Sequence, residues 1–334
     1  MIKFTMIIPV YNAGSLINLV FESIQYQTSR NFEVIFVDDG SSDESLVLCE
    51  KFIRNNQDIS MRLIKTKHLG ICGARNLAIE HAKGKWIVFA DHDDSFNKHL
   101  FEILEHNIDA EDFDILKYNC EIVNIKKENI TKTSRTNFKN RVIDTYELFD
   151  YEQDFYDFKM AVWTGAYKKN FIIKNNIRFE EVMKFGMEDF SFNLQCINKS
   201  KRIKLIDSVL YTHYKREGIS TSSKFDLNRL EAIIAVLQQE DILLRDFDIK
   251  SEKKALYLSR YLSGILNVIS YRECNWTKLQ KKEYLDRVYS LCFTDKKLHM
   301  RNLNVSIKRY IVLFAYKRKL YDLLLLIFKM KKIF

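Results

Sequence analysis

Residues 4–43, FTMIIPVYNAGSLINLVFESIQYQTSRNFEVIFVDDGSSD, contain the pattern that decides the fold. Two apolar runs, Phe4–Val10 and Phe32–Val37, have the Ile, Val and Phe content of buried strands, and Ser15–Gln27 carries apolar residues at helical spacing between them. The runs begin about thirty residues apart, the length of a β-α-β unit. Because their apolar character is continuous rather than alternating, we predict a parallel sheet that is covered on both faces.

The alternation of strands and helices continues to about residue 100. Ser41, Ser42 and Asp43 are candidate N-caps for a helix that ends near Asn55. The next elements are a strand, a helix and a strand at Met61–Lys65, Gly73–Ala82 and Trp86–Ala90. We predict an α/β fold with a Rossmann-like, mainly parallel sheet over residues 1–100, a mixed second half over 101–222, and only helices over 223–334.

Composition narrows the class of protein. Hydrophobic residues make up 47% of the 334 residues and charged residues 29%, which is typical of a globular protein with a sizeable core. The six cysteines are scattered without a CxxC pair, which argues against a zinc site and a disulfide framework. The N-terminus, MIKFTMIIPVYN, lacks the features of a signal peptide, so we expect a cytoplasmic protein.

The net charge of +9 is distributed unevenly. From Lys296 to Phe334 there are eleven Lys or Arg residues and one acid, Asp322, a charge of +10 that leaves about −1 for the rest. A nucleic-acid enzyme is usually basic around its site, so this distribution argues against a nucleic-acid partner. It favours an anionic partner of the tail, for which a membrane surface is the leading candidate.

Polar side chains follow three of the predicted strands. They are Tyr11-Asn12 after the first, Asp38-Asp39 after the second, and Asp91-His92-Asp93-Asp94 after the fourth. In open α/β sheets ligands bind beyond the carboxyl ends of the strands. Either acidic motif alone would be explained equally well as a helix cap, but five carboxylates at one edge favour a divalent cation with a bound diphosphate.

These motifs carry a resemblance to a known family. The segment FTMIIPVYNAGSL to FVDDGSSDESL, followed by KHLGICGARNLAIEHAKGKWIVFADHDDSF, resembles the N-terminal half of family 2 glycosyltransferases with the GT-A fold. Looser similarity extends through VWTGAYKKN, FGMEDFSFNLQ and YTHYKREGIS, which resemble the acceptor half. The resemblance implies a metal-dependent, inverting transfer of a sugar from a nucleotide donor to a hydroxyl group.

The resemblance also implies roles for donor-binding residues. Asp39 would accept a hydrogen bond from the uracil imide, which makes UDP the expected nucleotide, and Asp91 would face the ribose or metal-bound water. The other expected donor-site residues are Pro9, Val10 and Tyr11 at the nucleoside, Asp38 in support, Arg75 near the diphosphate, and His92, which stands where the family more often has a small residue.

The same resemblance implies which residues bind the metal and which residue is the catalytic base. Asp93 would ligate Mn²⁺ or Mg²⁺, with Asp91 beside it, and the charge growing on the leaving nucleotide would be stabilised there. Asp189, in the Glu188-Asp189 motif, would take the acceptor proton, with Glu188 as the next candidate. The alternative is that Asp189 merely caps a helix.

Four further residues have weaker signals. Trp163 would stack on the acceptor sugar or belong to the core, and His213 would be a metal ligand or a partnered structural histidine. Lys215 and Arg216 would close over the diphosphate or lie in a solvated loop.

The C-terminal tail has two possible roles. The leucine-rich run Leu323–Phe328 is far shorter than the ~20 residues needed to span a bilayer. The pattern favours two short helices broken near Lys317–Lys319, which dock on an anionic membrane or form a homo-oligomer.

We expect a UDP-sugar-dependent enzyme at the inner face of the plasma membrane, acting on lipid-linked saccharides for a surface glycan such as a capsule. The alternatives are a nucleotidyltransferase and a non-catalytic saccharide-binding or scaffold protein.

Overall fold

The structure, a computed structural model, describes residues 2–108, 112–126, 129–183, 186–216, 227–270, 274–292 and 307–330. The chain divides into two compact units. The first unit comprises residues 1–184 and 188–223, and the second comprises residues 185–187 and 224–334.

The first unit holds all the strands among the described residues. They are β1 (Phe4–Val10), β2 (Phe32–Asp38), β3 (Ser60–Lys65), β4 (Trp86–Phe89), β5 (Ser95–Phe96), β6 (Ile115–Lys126), β7 (Asn129–Arg135), β8 (Arg141–Asp144), β9 (Gly165–Lys168) and β10 (Arg202–Arg216). Its helices are α1 (Asn18–Gln25), α2 (Ser45–Asn55), α3 (Gly70–His81), α4 (Leu100–Ile108), α5 (Glu152–Met160), α6 (Lys169–Lys174) and α7 (Glu188–Lys199). Short 3-10 turns lie at Gly14–Ile17, Thr145–Asp150, Val162–Thr164 and Glu181–Met183.

One mixed sheet runs through this unit in the order β3-β2-β1-β4-β9-β6-β10-β5, with β7 beside β6 and β8 beside β10. The first four strands are mutually parallel, as the repeated β-α-β spacing predicts. Beyond β4 the antiparallel strand β9 joins the parallel half to β6, and β6 pairs in parallel with β10. The α/β prediction is confirmed, with the parallel pattern concentrated in the first hundred residues.

Burial explains why β1 and β2 have no polar face. Every residue of both strands is buried, because helices cover both sides of this part of the sheet. Phe32 of β2 stacks on Phe101 of α4 at 4.1 Å between ring centroids. Phe21 of α1 stacks on Phe52 of α2, also at 4.1 Å. These ring contacts join α4 to the start of β2 and α1 to α2, and so pack the helices around this part of the sheet.

Two strands are longer than the sequence pattern indicates. The single strand β6 begins at Ile115, within the apolar run Phe113–Lys117, and includes the whole run Cys120–Ile125, with the buried Asn119 between them. Its amide donates to the Phe138 carbonyl, which satisfies the polar group inside the sheet. The runs Arg202–Ile206 and Val209–Tyr214 likewise form β10, with register shifts between them.

Of the three candidate caps predicted for α2, Asp43 bonds to the helix in the described residues, whereas Ser41 and Ser42 do not. Helix α2 begins at Ser45, and the residue before it, Glu44, makes no side-chain cap hydrogen bond. Asp43 Oδ1 accepts a hydrogen bond from Ser45 N–H, and Asp43 Oδ2 accepts one from Gly14 N–H. The polar residues after β2 are therefore used to tie the turn after β1 to the turn after β2.

The second unit is helical in its described residues. Its helices are α8 (Asn228–Asp246), α9 (Ser251–Ile269), α10 (Lys278–Cys292), α11 (Ile307–Lys317) and α12 (Tyr321–Met330). Helices α11 and α12 are separated by residues 318–320, close to the break that the sequence predicts near Lys317–Lys319. Lys319 in this break has a left-handed φ of 55°. Among the described residues no helix is both long enough and apolar enough to cross a membrane.

Candidate active site

The carboxyl ends of β1, β2 and β4 meet at one edge of the sheet. Asp39 N–H donates to the Val10 carbonyl at 2.9 Å, and Ala90 N–H donates to the Ile7 carbonyl at 3.0 Å. The three polar motifs that follow these strands therefore lie side by side, as the sequence predicts for a parallel sheet.

Arg75 of α3 joins this edge to helix α7. Its guanidinium donates to Asp91 Oδ1 at 3.0 Å and to Asp189 Oδ1 at 2.7 Å, and Glu188 Oε1 lies 3.6 Å away. The side chain is 1% exposed, and the Phe179 ring lies 5.0 Å from its guanidinium carbon. A buried cation thus brings together the last strand-end motif and the acidic pair Glu188-Asp189 at the start of α7.

The electrostatics of this cluster follow from burial and from the three acids. Burial alone would lower the pKa of Arg75, but Asp189, Asp91 and Glu188 outweigh it and raise that pKa, so the guanidinium stays charged. Burial, opposed by Arg75, raises the pKa of Asp91. Burial and the neighbouring Asp189 raise the pKa of Glu188 to about 7, a value suited to proton exchange near neutral pH.

Asp189 lies in the first turn of α7 but does not cap it. The helix begins at Glu188, and the Asp189 carboxylate reaches away to Arg75 and to the backbone N–H of Val162, at 3.1 Å from Oδ2. The capping alternative is therefore wrong, because both carboxylate oxygens are used outside the helix.

Asp93 has a basic partner of its own. Arg216, at the end of β10, donates through Nη1 to Asp93 Oδ2 and through Nη2 to the Asp93 carbonyl, each at 2.9 Å. Arg216 is buried, which disfavours its reading as a solvated loop residue, whereas Lys215 beside it is exposed. Arg216, one of the two residues predicted to close over the diphosphate, therefore contacts Asp93, the predicted metal ligand.

Asp94 organises a buried network that the sequence pattern does not reveal. Its Oδ2 lies 2.9 Å from both the Tyr211 hydroxyl and His213 Nδ1, and its Oδ1 accepts from Tyr214 N–H at 2.9 Å. Burial would lower the pKa of His213, but the hydrogen bond to Asp94 outweighs it and raises that pKa. A carboxylate on one ring nitrogen fixes the orientation of the imidazole and leaves Nε2 for another partner.

The predicted nucleoside residues divide into two groups. Pro9 and Val10 are buried in β1, and the Pro9 carbonyl lies 3.1 Å from His92 Nδ1, so His92 ties the ends of β1 and β4 together. Tyr11 is 47% exposed, and its ring centroid lies 5.0 Å from that of His68. The two rings are tilted by 53° to each other, so the exposed Tyr11 ring by itself offers the flat surface at the strand edge.

The two aspartates after β2 have different surroundings. Asp39 accepts hydrogen bonds from Thr66 Oγ1 at 2.5 Å, Leu69 N–H at 2.6 Å and Gly70 N–H at 2.7 Å, so it fixes the loop before α3. Asp38 is buried, and its Oδ1 has no hydrogen-bond partner among the described residues. A buried acceptor without a donor is costly, which suits a position that a ligand hydroxyl completes.

The surroundings of Arg75 and Trp163 show what each side chain does in the structure. Arg75, predicted near the diphosphate, is buried and engaged by acids, so holding those acids is the role that the geometry shows. Trp163 is buried and stacks on Tyr211 at 4.6 Å and on His213 at 5.1 Å between centroids, which matches the core alternative. Its indole supports the histidine rather than presenting an open face.

The sequence pattern assigns no individual role to Asp94, Tyr211 or Lys117, although Asp94 is one of the five carboxylates counted at the sheet edge. Asp94 directly follows the predicted Asp91-His92-Asp93 motif, and that adjacency was the one available signal. Tyr211 and His213 alternate along β10, so the pattern alone does not show that both reach one carboxylate. Lys117 was hidden in an apolar strand, where only its charge distinguishes it.

Comparisons with known proteins agree with this geometry. The model of the family described as glycosyl transferase family 2 matches residues 5–174. The cholesterol galactosyltransferase of Borreliella burgdorferi is 26% identical over 333 residues, which cover 96% of this chain and 82% of the relative. The poly(ribitol-phosphate) beta-N-acetylglucosaminyltransferase TarS of Staphylococcus aureus is 29% identical over 79% of this chain, but the match spans only 45% of TarS.

Solved structures share the fold. The crystal structure of S. aureus TarS 1–349 in complex with UDP-GlcNAc superposes with a TM-score of 0.71 at 21% identity, covering 99% of this chain and 91% of the other. A mannosyltransferase of Pyrobaculum calidifontis, in complex with GDP-Man and Mn²⁺, gives a TM-score of 0.52 at 16% identity, with 88% of each chain covered. With the family match extending over half of the sequence and a GT-A-like fold, the chain belongs to glycosyl transferase family 2 and is a glycosyltransferase.

Proposed function

We propose that this glycosyltransferase moves a sugar from a UDP-sugar to a hydroxyl of a saccharide acceptor, with inversion at the anomeric carbon. The observation that carries the proposal is the ion cluster in which buried Arg75 holds Asp91 and Asp189 together. It links the edge where nucleotides bind in α/β folds to an acid in the acceptor half of the domain.

Asp189 is the proposed general base. The acceptor O–H proton passes to its carboxylate while the acceptor oxygen attacks the anomeric carbon, and the bond from that carbon to the diphosphate oxygen breaks. Arg75 and the Val162 N–H group orient the carboxylate, which is the geometric requirement for this step. Glu188 is the second candidate, because its raised pKa of about 7 lies near the working pH.

The nucleoside is proposed to bind between Tyr11 and Asp38. The exposed Tyr11 ring provides a surface for stacking of the base, and the unpartnered Asp38 Oδ1 provides an acceptor for a sugar hydroxyl. The choice of uracil rests on the resemblance and on the UDP-GlcNAc complex of TarS. The proposed contact of Asp39 with the uracil imide uses the acceptor capacity that remains beside its three internal hydrogen bonds.

The residues present fit a divalent cation that binds together with the diphosphate. No group of three or more His, Cys, Asp or Glu side chains in the described ranges forms a complete metal cage. Asp93 and the Nε2 atom of His213 are the proposed protein ligands, because Asp94 orients His213 as carboxylates orient metal-bound histidines. When bound, Mn²⁺ or Mg²⁺ would stabilise the charge on the departing nucleotide. Arg216 neutralises Asp93 in the structure described here.

The proposed acceptor is a lipid-linked saccharide at the inner face of the plasma membrane, for a surface glycan of capsular or teichoic type. Helices α11 and α12 support it, since large apolar side chains are exposed on both: Ile311, Phe314, Leu323 and Leu326, with Leu320 between the helices. Arg318 and Lys319 lie between them, and no spanning helix is found in the described ranges. Exposed apolar groups beside basic ones are typical of surfaces that bind anionic lipid.

A donor screen tests the nucleotide. We expect UDP-sugars with Mn²⁺ to raise the melting temperature of the full chain more than GDP-, CDP- or dTDP-sugars, because at equal concentration the ligand with the lowest Kd stabilises the folded state most. Each donor without metal is the control. A larger shift with another nucleotide would remove uracil from the proposal while leaving the enzyme class intact.

A further inference from the structure

Lys117 is a charged side chain enclosed by the core. It lies in β6 and is 0% exposed, and its ammonium donates to the Ala161 carbonyl at 2.7 Å and to the Tyr167 hydroxyl at 3.2 Å. The Phe158 ring centroid lies 4.9 Å from Nζ. In the part of the chain that the structure describes, no carboxylate lies within ion-pair distance of it. Burial lowers the pKa of Lys117 to about 7, because the charged form of the amino group is costly to keep in the core.

The carbonyl that receives Lys117 belongs to the peptide that holds Asp189. Ala161 supplies the C=O and Val162 supplies the N–H of one planar peptide unit. Lys117 donates to its oxygen, and its N–H donates to Asp189 Oδ2 at 3.1 Å. A donor at the oxygen and a carboxylate at the N–H polarise the peptide in the same direction, which strengthens both hydrogen bonds.

A second connection runs from Lys117 to helix α7. The Tyr167 hydroxyl that receives Lys117 lies 2.7 Å from Asn193 Oδ1, and Asn193 is one helical turn beyond Asp189. Gly165 makes room for the lysine stem, because a Cβ at that position would lie 2.9 Å from Lys117 Cδ. The lysine therefore supports Asp189 both through a peptide and through its helix.

We propose that Lys117 is a positioning residue for sugar transfer, which fixes the Asp189 carboxylate through the Ala161–Val162 peptide and the Tyr167–Asn193 hydrogen bond. The inference rests on the proposed role of Asp189 as the base. A lysine that only filled space would be replaceable by an apolar residue of similar length without loss of rate. A lysine that holds the base in position could not be replaced in this way without loss of rate.

Lys117→Met in the full chain tests this distinction. The substitution keeps the length of the side chain and removes the ammonium. We expect a melting temperature equal to or above that of the wild type and KM values within about twofold, with kcat reduced about ten- to a hundredfold, the scale of a misplaced catalytic group. Lys204→Met is the matched control, because Lys204 is a half-buried lysine of the neighbouring strand β10 whose Nζ lies 5.7 Å from the centroid of the Phe113 ring.

The double variant Lys117→Met, Asp189→Asn separates the two proposals. If Lys117 acts through Asp189, the double variant is as slow as Asp189→Asn alone, because residues that act as a unit are not additive. A kcat near that of the wild type for Lys117→Met, or losses that multiply in the double variant, overturns the role of Lys117. A near wild-type rate for Asp189→Asn overturns the proposed base instead.

Tyr167→Phe keeps the inference testable if Lys117→Met does not fold. It removes only the hydroxyl that connects Lys117 to Asn193. We expect kcat to fall about three- to tenfold at unchanged KM, as for the loss of one hydrogen bond that positions a reacting group. An unchanged kcat in a folded Tyr167→Phe protein contradicts the proposal.

Discussion

At the scale of single residues, Arg75 determines how the acids of the site are arranged. Three carboxylates near one another would repel and ionise with difficulty, and a buried guanidinium offsets that repulsion for Asp91 and Asp189. Glu188 lies further from it, at 3.6 Å, and its pKa is raised to about 7. Burial raises the pKa of both Asp91 and Glu188, and Arg75 opposes that rise in each.

Asp93→Ala should lose metal-dependent binding of UDP and nearly all transfer activity. The fold should survive, because the residue lies after a strand end and Arg216 keeps its hydrogen bonds to the carbonyls of residue 93 and Tyr214. Calorimetry with UDP and Mn²⁺ measures the affinity, with Asp58→Ala, an exposed acid paired with Arg30, as the control. Unchanged UDP–Mn²⁺ affinity in Asp93→Ala would show that the cation is held elsewhere.

Glu188→Gln should change how stability depends on pH. The folded pKa of about 7 lies above the ordinary value of 4.5, so the stabilisation from proton binding is complete below about pH 4.5 and is lost as pH rises to about 7. The variant should therefore be more stable than the wild type at pH 8, by a few degrees, since 1 kcal/mol corresponds to about 2–4 °C for a unit of this size. Melting curves from pH 5 to 8.5 measure the difference, and parallel curves for both proteins would contradict it.

At the scale of elements, the junction between β1 and β4 depends on close backbone contact. Gly84 N–H donates to Thr5 Oγ1 at 2.8 Å, and Thr5 in turn donates to buried Glu33 at 2.7 Å. A Cβ on Gly84 would lie 2.4 Å from the carbonyl carbon of Phe4. The parallel strands therefore approach each other in a way that only glycine permits.

Gly84→Ala should destabilise the first unit by about 1–3 kcal/mol, the usual cost of forcing a methyl group into packed backbone. Gly264→Ala is the opposite control, because Gly264 is inside α9 with nothing within 4 Å of its Cβ position, where alanine should stabilise by about 0.5–1 kcal/mol. Chemical denaturation of both variants measures whether each substitution lowers or raises the free energy of unfolding. A neutral Gly84→Ala would show that β1 and the turn before β4 can separate without cost.

At the scale of the whole molecule, the charge asymmetry predicts salt-sensitive binding to anionic vesicles. Each Lys or Arg near such a surface contributes about 1 kcal/mol, and this attraction falls off within about 8 Å at physiological salt. Leu323 and Leu326 should add binding that salt does not weaken, because they are exposed on α12. We expect the full chain to bind anionic but not neutral vesicles and to be released only in part as salt rises.

The double substitution Leu323→Ser, Leu326→Ser should make that release complete, measured by vesicle sedimentation. Leu279→Ser, another exposed leucine of the helical unit, is the control. Failure of the full chain to sediment with anionic vesicles, together with conversion of an oligomer to monomers by the double substitution, would identify the tail as an assembly interface instead.

The sequence by itself determined the parallel half of the sheet and the edge at which the site lies. Apolar strands at β-α-β spacing have few arrangements open to them, and their carboxyl ends must meet, so the motifs after β1, β2 and β4 were predictable from local pattern. The likeness of those motifs to a family was visible in the same hundred residues.

Only the tertiary structure decided which side chains touch. Arg75 and Asp189 are 114 positions apart, and Asp94 and His213 are 119 apart, so no local pattern specifies either pair. The same is true of Lys117, whose role depends on a peptide from a different segment of the chain. Burial raises the cost of every unpaired polar group, so the packed fold selects partners that the sequence order does not display.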